Sequence, residues 1–367
     1  MTENNKINTL GIMVCYENVK RSPPFGEAGF FAQLAIEGRK WGLEVCVFNP
    51  AKVNWKTRTV PAWQCRQNFW EKATVPVPVL VYDRCYYING NHYLKYKPYV
   101  SKIINDPRIR LLGRALGGKY QTYLILNEHP EIRSYLPETK RLVHAQDIWP
   151  FLRKYTNILI KPNGGSHGRG VIAITRTPSH FLLKGRTRLN EPFSLRIHSP
   201  VELMRWIEQT IRHTRYIMQP LLSLFTPDHR PFDVRILVQK NYRKEWETTG
   251  LAIRVGKPNS VTSNLHGGGQ AVSFKNFLHQ HYPFSEAEKI TSIIRFLSET
   301  VPPFIEQNHG PLVELGLDLG IDQQGHVWIL EVNSKPGRSI FLKTGELEVR
   351  RRAVQFPIQY AYALLNS

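Results

Sequence analysis

The stretch that decides the fold is Gly310–Gly337, GPLVELGLDLGIDQQGHVWILEVNSKPG. Val313 to Leu319 alternates apolar and polar residues, and Val327 to Val332 is a second β-rich run. Asp322-Gln323-Gln324-Gly325 between them has turn chemistry, so the stretch reads as a β-hairpin. Glu331 and Asn333 are two apart and face one side of a strand. With the turn at Asp322–Gly325, Asp318 on the first strand lies across from that pair. Two carboxylates and an amide oxygen suit Mg2+ or Mn2+, which prefer hard oxygen ligands and leave positions open for phosphate oxygens. The alternative is a solvated edge hairpin. Three oxygen ligands set among Val, Ile and Leu argue against it.

Upstream, Phe284 to His309 contains a long amphipathic helix with Ile290, Ile293, Ile294 and Leu297 at helical spacing. Phe232–Gln239 reads as a strand whose Asp233 and Arg235 share a face. Leu251–Val255 is its neighbour and carries Arg254. A charged pair on an apolar strand wants a partner, because unpaired burial of charge is costly; a structural salt bridge is the simple reading. Further upstream lies Ile158–Ile174, ILIKPNGGSHGRGVIAI. A strand ends on Lys161-Pro162, a loop carries Gly164, Gly165, Gly168 and Gly170, and a second strand follows. Glycines let backbone N–H groups close on phosphate oxygens, and Lys161 supplies a point charge. Ser166, His167 and Arg169 lie on the same loop. The loop returns to a strand rather than opening a helix, so it is neither a Walker P-loop nor a dinucleotide turn.

Asp318 with Glu331-Val332-Asn333, preceded by this flap, resembles the ATP-grasp ligases, and the resemblance covers about residues 115 to 345. Ser263-Asn264-Leu265-His266-Gly267-Gly268 is similar to a turn of the ligases that add amino acids to peptide ends. The resemblance implies ATP held between two lobes with two Mg2+ (or Mn2+) ions on Asp318, Glu331 and Asn333. It implies nucleotide contacts from Lys119, Lys161, Gly164, Gly165, Ser166, Gly168, Gly170 and Asp233. Gln219, Pro220 and Leu221 would meet the adenine edge, and Arg235, Arg254 and Asn264 would serve the reacting phosphate. The implied activity is an ADP-forming carboxylate–amine ligase acting through an acyl-phosphate. The whole chain resembles the endospore-coat-associated ATP-grasp proteins, the YheC/YheD type. That implies a mother-cell or coat setting and a peptide or coat-protein acceptor. A nucleotide-binding coat scaffold without turnover stays open as the alternative.

The first 115 residues read as a small Rossmann-like α/β unit. Strands fall at Leu10–Tyr16, Glu44–Phe48, Val77–Tyr82 and Arg110–Leu112, with helices at Phe25–Trp41 and Asn91–Asn105. No glycine fingerprint follows the first strand, which argues against dinucleotide binding there. The expected class is therefore α/β. A Rossmann-like domain (1–115) precedes a flap lobe (116–220) and a catalytic lobe (221–345), and a C-terminal helix (346–367) docks on the body.

The chain has 367 residues and a net charge of +20. So basic a surface favours an acidic acceptor or another polyanion. The absence of an Arg-rich tail, a run of like charges or zinc-finger spacing argues against dedicated nucleic-acid binding. Its four cysteines form no CxxC pair, as expected of reduced buried thiols. Nothing resembles a signal core or a membrane-spanning run, which points to a soluble intracellular protein.

Overall fold

A computed structural model describes residues 8–15, 20–165, 168–258 and 269–367. The first sheet uses β1 (Asn8–Met13), β2 (Leu43–Phe48), β3 (Thr59–Arg66), β4 (Phe69–Pro76), β5 (Leu80–Asp83) and β6 (Arg110–Gly113). Its order is β4-β3-β2-β1-β5-β6. The pairs β1/β2, β1/β5 and β5/β6 are parallel. Helix α1 (Ala28–Lys40) crosses between β1 and β2, and α2 (Gly90–Ile104) between β5 and β6. Phe31, Leu34, Ala35 and Gly38 of α1 recur at helical spacing and are buried. The antiparallel hairpin β3–β4 extends the sheet beyond the parallel core. Its two-residue loop, Gln67-Asn68, has positive φ at both positions, the geometry that matches strand twist.

After α3 (Lys119–Asn127) comes the second sheet. It comprises β7 (Lys140–Leu142), β8 (Asn157–Pro162), β9 (Ile172–Arg176), β10 (Phe181–Arg186), β11 (Pro192–Ile197) and β12 (Tyr216–Pro220). The order is β11-β10-β9-β8-β12-β7, antiparallel throughout. Helices α4 (Ile148–Tyr155) and α5 (Pro200–Ile211) close its core through Phe151, Leu152, Leu203 and Ile207.

The third sheet contains β13 (Phe232–Lys240), β14 (Trp246–Val255), β15 (Gln270–Ser273), β16 (Glu314–Ile321) and β17 (Val327–Asn333), ordered β15-β14-β13-β16-β17. Helices α6 (Phe274–His281) and α7 (Phe284–His309) cover one face, with Ile290, Ile294, Leu297 and Val301 in the core. Two helices follow, the short α8 (Ser339–Lys343) and the long α9 (Leu347–Leu365). Among the described residues no helix is long and apolar enough to cross a membrane.

Two boundaries differ from the sequence expectation. Leu126 and Ile132 are buried in the core of the third sheet, so the segment from 116 to about 136 packs with that sheet and not with the flap lobe. Its apolar residues meet α7, which sequence order alone does not reveal. Helix α9 does not dock on one body. Val354, Ile358 and Ala361 complete the core of the first sheet, while Ala353 packs beside Leu237 and Ala252 of the third.

Candidate active site

The hairpin closes where its turn chemistry puts it. Gly325 donates to the Asp322 carbonyl at 3.0 Å, and the Asp322 side chain accepts from Gln324 and His326. The register above the turn then slips. Leu319 faces Ile329, but Asp318 faces Glu331, which leaves Leu330 as a bulge. The bulge is decisive. Without it Asp318 would face Leu330, and the acidic side chain of Glu331 would point to the opposite side of the sheet. Gly316 pairs with Asn333, so Asp318, Glu331 and Asn333 share one face. The bulged Leu330 carbonyl accepts from Lys161 Nζ at 3.1 Å, tying the second sheet to the third.

Asp318 is the centre of a charge cluster. Arg235 Nε lies 2.9 Å from its Oδ1, and Arg254 Nη2 lies 2.9 Å from its Oδ2. Arg254 also reaches Asp233 at 2.6 Å. The strand register sets this up, because Arg235 sits opposite Asp318, and Asp233 opposite Arg254. Burial pushes the Asp318 carboxyl up, but Arg235 and Arg254 outweigh it and hold it below the usual carboxylate range. Arg235 Nη1 is buried and has no hydrogen-bond partner. A Cβ at Gly316 would come within 2.8 Å of it and within 3.0 Å of Asn333 Nδ2, so glycine is what keeps that cradle open.

Lys119 is the first residue of α3. Its Nζ bridges Glu331 Oε1 at 3.0 Å and the Gly165 carbonyl at 2.9 Å. Lys161 is buried. Burial pushes its ammonium down to about 8, with Lys119 adding to the effect and Glu331 opposing it. Gly165 and Gly168 on the flap have positive φ, which a side chain would strain. Lys119, Lys161, Gly164, Gly165, Gly168, Asp233, Arg235, Arg254, Asp318, Glu331 and Asn333 all line one cleft of about 2880 Å³ between the three sheets.

Several expected residues fall elsewhere. Ser166 and Asn264 lie outside the described residues. Gly170 does not line the cleft; it packs against Pro162 and the Tyr216 hydroxyl, where a Cβ would be only 3.0 Å from either. Gln219, Pro220 and Leu221 do line it. However, the Gln219 amide donates to Thr139 at 2.7 Å, and Leu221 N–H donates to the Asn157 carbonyl at 3.0 Å. The Leu221 N–H is thus taken, while the Gln219 amide keeps a second N–H. Asn163 lines the same cleft and is a residue that the sequence reading misses. Its side chain accepts from Tyr120 N at 2.8 Å, and its carbonyl from Lys119 N at 2.9 Å. It thus fixes the start of α3, and with it Lys119, to the end of β8. An Asn closing a strand straight after Lys-Pro is the only sequence signal for it.

A divalent ion fits this donor set only together with a nucleotide. Among the described residues no three His, Cys, Asp or Glu side chains are grouped to hold a metal alone. Two carboxylates and the Asn333 amide would leave further positions for phosphate oxygens. Asn333 Nδ2 already donates to the Gly316 carbonyl, which turns its oxygen away from that bond.

A glycine flap over an antiparallel sheet, facing a hairpin with charged residues across a shared cleft, defines an ATP-grasp fold. A solved D-cycloserine synthetase, DcsG, superposes with a TM-score of 0.58 at 11% identity, over 98% of this chain and 100% of that one. A Chryseobacterium gregarium RiPP-associated ATP-grasp ligase, solved with ADP and a leader and core peptide, superposes with a TM-score of 0.50 at 12% identity, over 98% and 97% of the two chains. More particularly, the chain belongs to the YheC/D-like ATP-grasp family, whose model matches residues 108–364. The endospore coat-associated protein YheC of Bacillus subtilis (strain 168) is 30% identical over 322 residues, covering 86% of this chain and 87% of that protein.

Proposed function

We propose that the protein is an ATP-dependent carboxylate–amine ligase that releases ADP and acts on an acidic peptide or coat protein. The observation that carries this reading is the buried Arg235 guanidinium beside Asp318, with one Nη lacking any partner and facing the cradle kept open by Gly316. A buried donor without an acceptor is costly, and a phosphoryl oxygen is the acceptor its planar fork suits.

In this reading the flap backbone and Lys161 hold the nucleotide's inner phosphates, and Lys119 reaches the outer ones. The substrate carboxylate attacks the γ-phosphorus, forming an acyl-phosphate and ADP. The incoming amine then displaces phosphate and forms the amide. Arg235 and Arg254 offset charge that develops on the transferred group, and Asp233 and Asp318 hold those guanidinium groups in register. Asp318, Glu331 and Asn333 would hold Mg2+ or Mn2+, which when bound neutralises phosphate charge. Substrate binding, orientation and exclusion of water rest on the chain itself.

The excess of cations supports an acidic acceptor, and the leader and core peptide held by the RiPP-associated ligase supports a peptide one; the kinship with YheC supports a coat setting. The test is a mass spectrum of acidic peptides incubated with protein, ATP and mixed amino acids. A mass gain matched by ADP is expected. ATP binding with neither product would overturn the ligase reading. It would leave the second one, a nucleotide-binding scaffold, which the pairing of Asp318 with two of the protein's own arginines favours.

A further inference from the structure

One wall of the cleft takes no part in the nucleotide chemistry. From Arg84 to Asn105 the chain carries Arg84, Lys95, Lys97 and Lys102 and no Asp or Glu. This segment follows β5 and contains α2, whose buried residues are only Val100 and Ile103. Its exposed surface mixes lysines and asparagines with large apolar side chains. Ile88 and Leu94 are each 64% exposed, Tyr86 44% and Tyr93 42%. Those four and Lys97 line the same cleft as Lys119 and Glu331. The rings are held in place. Tyr93 meets Tyr87 edge-on at 5.1 Å, and His92 meets Tyr96 at 4.8 Å. Large apolar side chains left exposed along one wall of a cleft mark an interaction site.

The charge around it selects the occupant. The cleft's carboxylates are already paired: Glu27 with Arg84, Asp83 with Lys335, Glu331 with Lys119, and Asp233 and Asp318 with the two arginines above. Lys97, Arg114 and Arg350, which also line it, have no salt bridge among the described residues. The potential inside the cleft is therefore positive and unopposed, beside an apolar, aromatic wall. A bilayer is too flat to enter a concave site. A flexible chain can enter it.

We propose that the β5–α2 wall binds the acceptor as an extended acidic polypeptide segment with apolar or aromatic residues interspersed, delivering one carboxylate to the Asp318–Glu331 end of the cleft. The proposal deepens the ligase reading and rests on it for the chemistry, though not for the binding. Apolar side chains would pack on Leu94, Ile88 and the tyrosines, and acidic ones would face Lys97 and its neighbours.

The test is fluorescence anisotropy of a labelled peptide alternating Glu with Leu and Tyr, titrated with the full chain. A second peptide has Lys in place of Glu. Combined Lys97→Glu and Leu94→Ser should weaken the acidic peptide by at least about tenfold while ATP affinity stays within about twofold. Ile88→Ser, outside α2, should weaken it in the same direction. All three positions are exposed, so folding is kept. Equal affinity for the Lys peptide would overturn the proposal. So would unchanged binding by the variants, or displacement of the peptide by an oligonucleotide or by anionic vesicles at similar concentration. If the peptide binds as expected yet no ADP forms with any amine, the ligase reading fails and the wall stands. If ADP forms on a peptide indifferent to these substitutions, the wall fails and the ligase reading stands.

Discussion

Glu314 and Asp318 sit four residues apart on β16, on the same face, and each gathers two arginines. Their settings differ. The Glu314 side chain is fully buried. It accepts from Arg84 at 3.0 Å, Gln239 at 2.9 Å, Arg338 and the Tyr82 hydroxyl. Arg84 and Tyr82 belong to the first sheet, and Glu314 and Gln239 to the third, so this cluster is a rivet between them. Asp318 lines the cleft instead, and its arginine keeps one donor without a partner. Four donors meet the Glu314 carboxylate, which suits assembly even though Arg338 Nε is left without a partner; at Asp318 the unpartnered donor, Arg235 Nη1, lies beside the cleft, which would suit ligand binding.

The largest effect expected is on the rivet. Glu314→Gln would strand two buried guanidinium groups, so about 3–5 kcal/mol of stability should be lost. A urea denaturation midpoint measures this. ADP formation by the folded fraction should change far less; a selective loss of activity with normal stability would erase the contrast between the clusters.

Next comes the working end. Glu331 is half-exposed, so Glu331→Gln should leave the melting temperature nearly unchanged. ADP release should fall by at least about 100-fold, the scale of losing one transition-state stabiliser. Retained turnover would remove Glu331 from the proposed metal set.

A pH effect follows from Lys161. Its value of about 8 lies below that of an exposed amine near 10.4. The penalty for burying its charge therefore weighs on the fold below about pH 8 and is relieved between there and about 10.4. Nucleotide binding should run the other way, weakening as pH rises through about 8, with proton uptake on binding near that pH. Calorimetry in buffers of different ionisation enthalpy would reveal it. Proton-neutral binding would mean that Lys161 does not meet the phosphates.

The smallest effect should come from Asn163→Ala. It frees the start of α3 without removing a charge, so ATP affinity should drop by about tenfold or less, the worth of one neutral hydrogen bond. A drop as large as that of Lys119→Ala would make Asn163 a ligand contact in its own right.

Much of this is legible in the chain. The hairpin's turn, the flap glycines and the Asp233/Arg235 face are written in local pattern. The parallel βαβ start follows from strand–helix–strand spacing. The hairpins β3–β4 and β10–β11 escape such a reading, since short polar-studded strands carry a weak periodic signal. The edge strand β4 alternates at best between half-buried and exposed residues. The Glu314 rivet is invisible for a different reason: its partners Tyr82 and Arg84 lie 232 and 230 residues away along the chain.

By itself, the sequence determined which chemical groups the site owns. Residue identity, glycine placement and turn chemistry act over a few residues, and a linear reading reaches that far. The folded chain decided which of those groups meet. The bulge at Leu330 is the clearest case. One extra residue in β17 turns Glu331 toward Asp318 and frees a carbonyl for Lys161. Strand pairing and long-range packing choose that register, and no local preference in the hairpin specifies it.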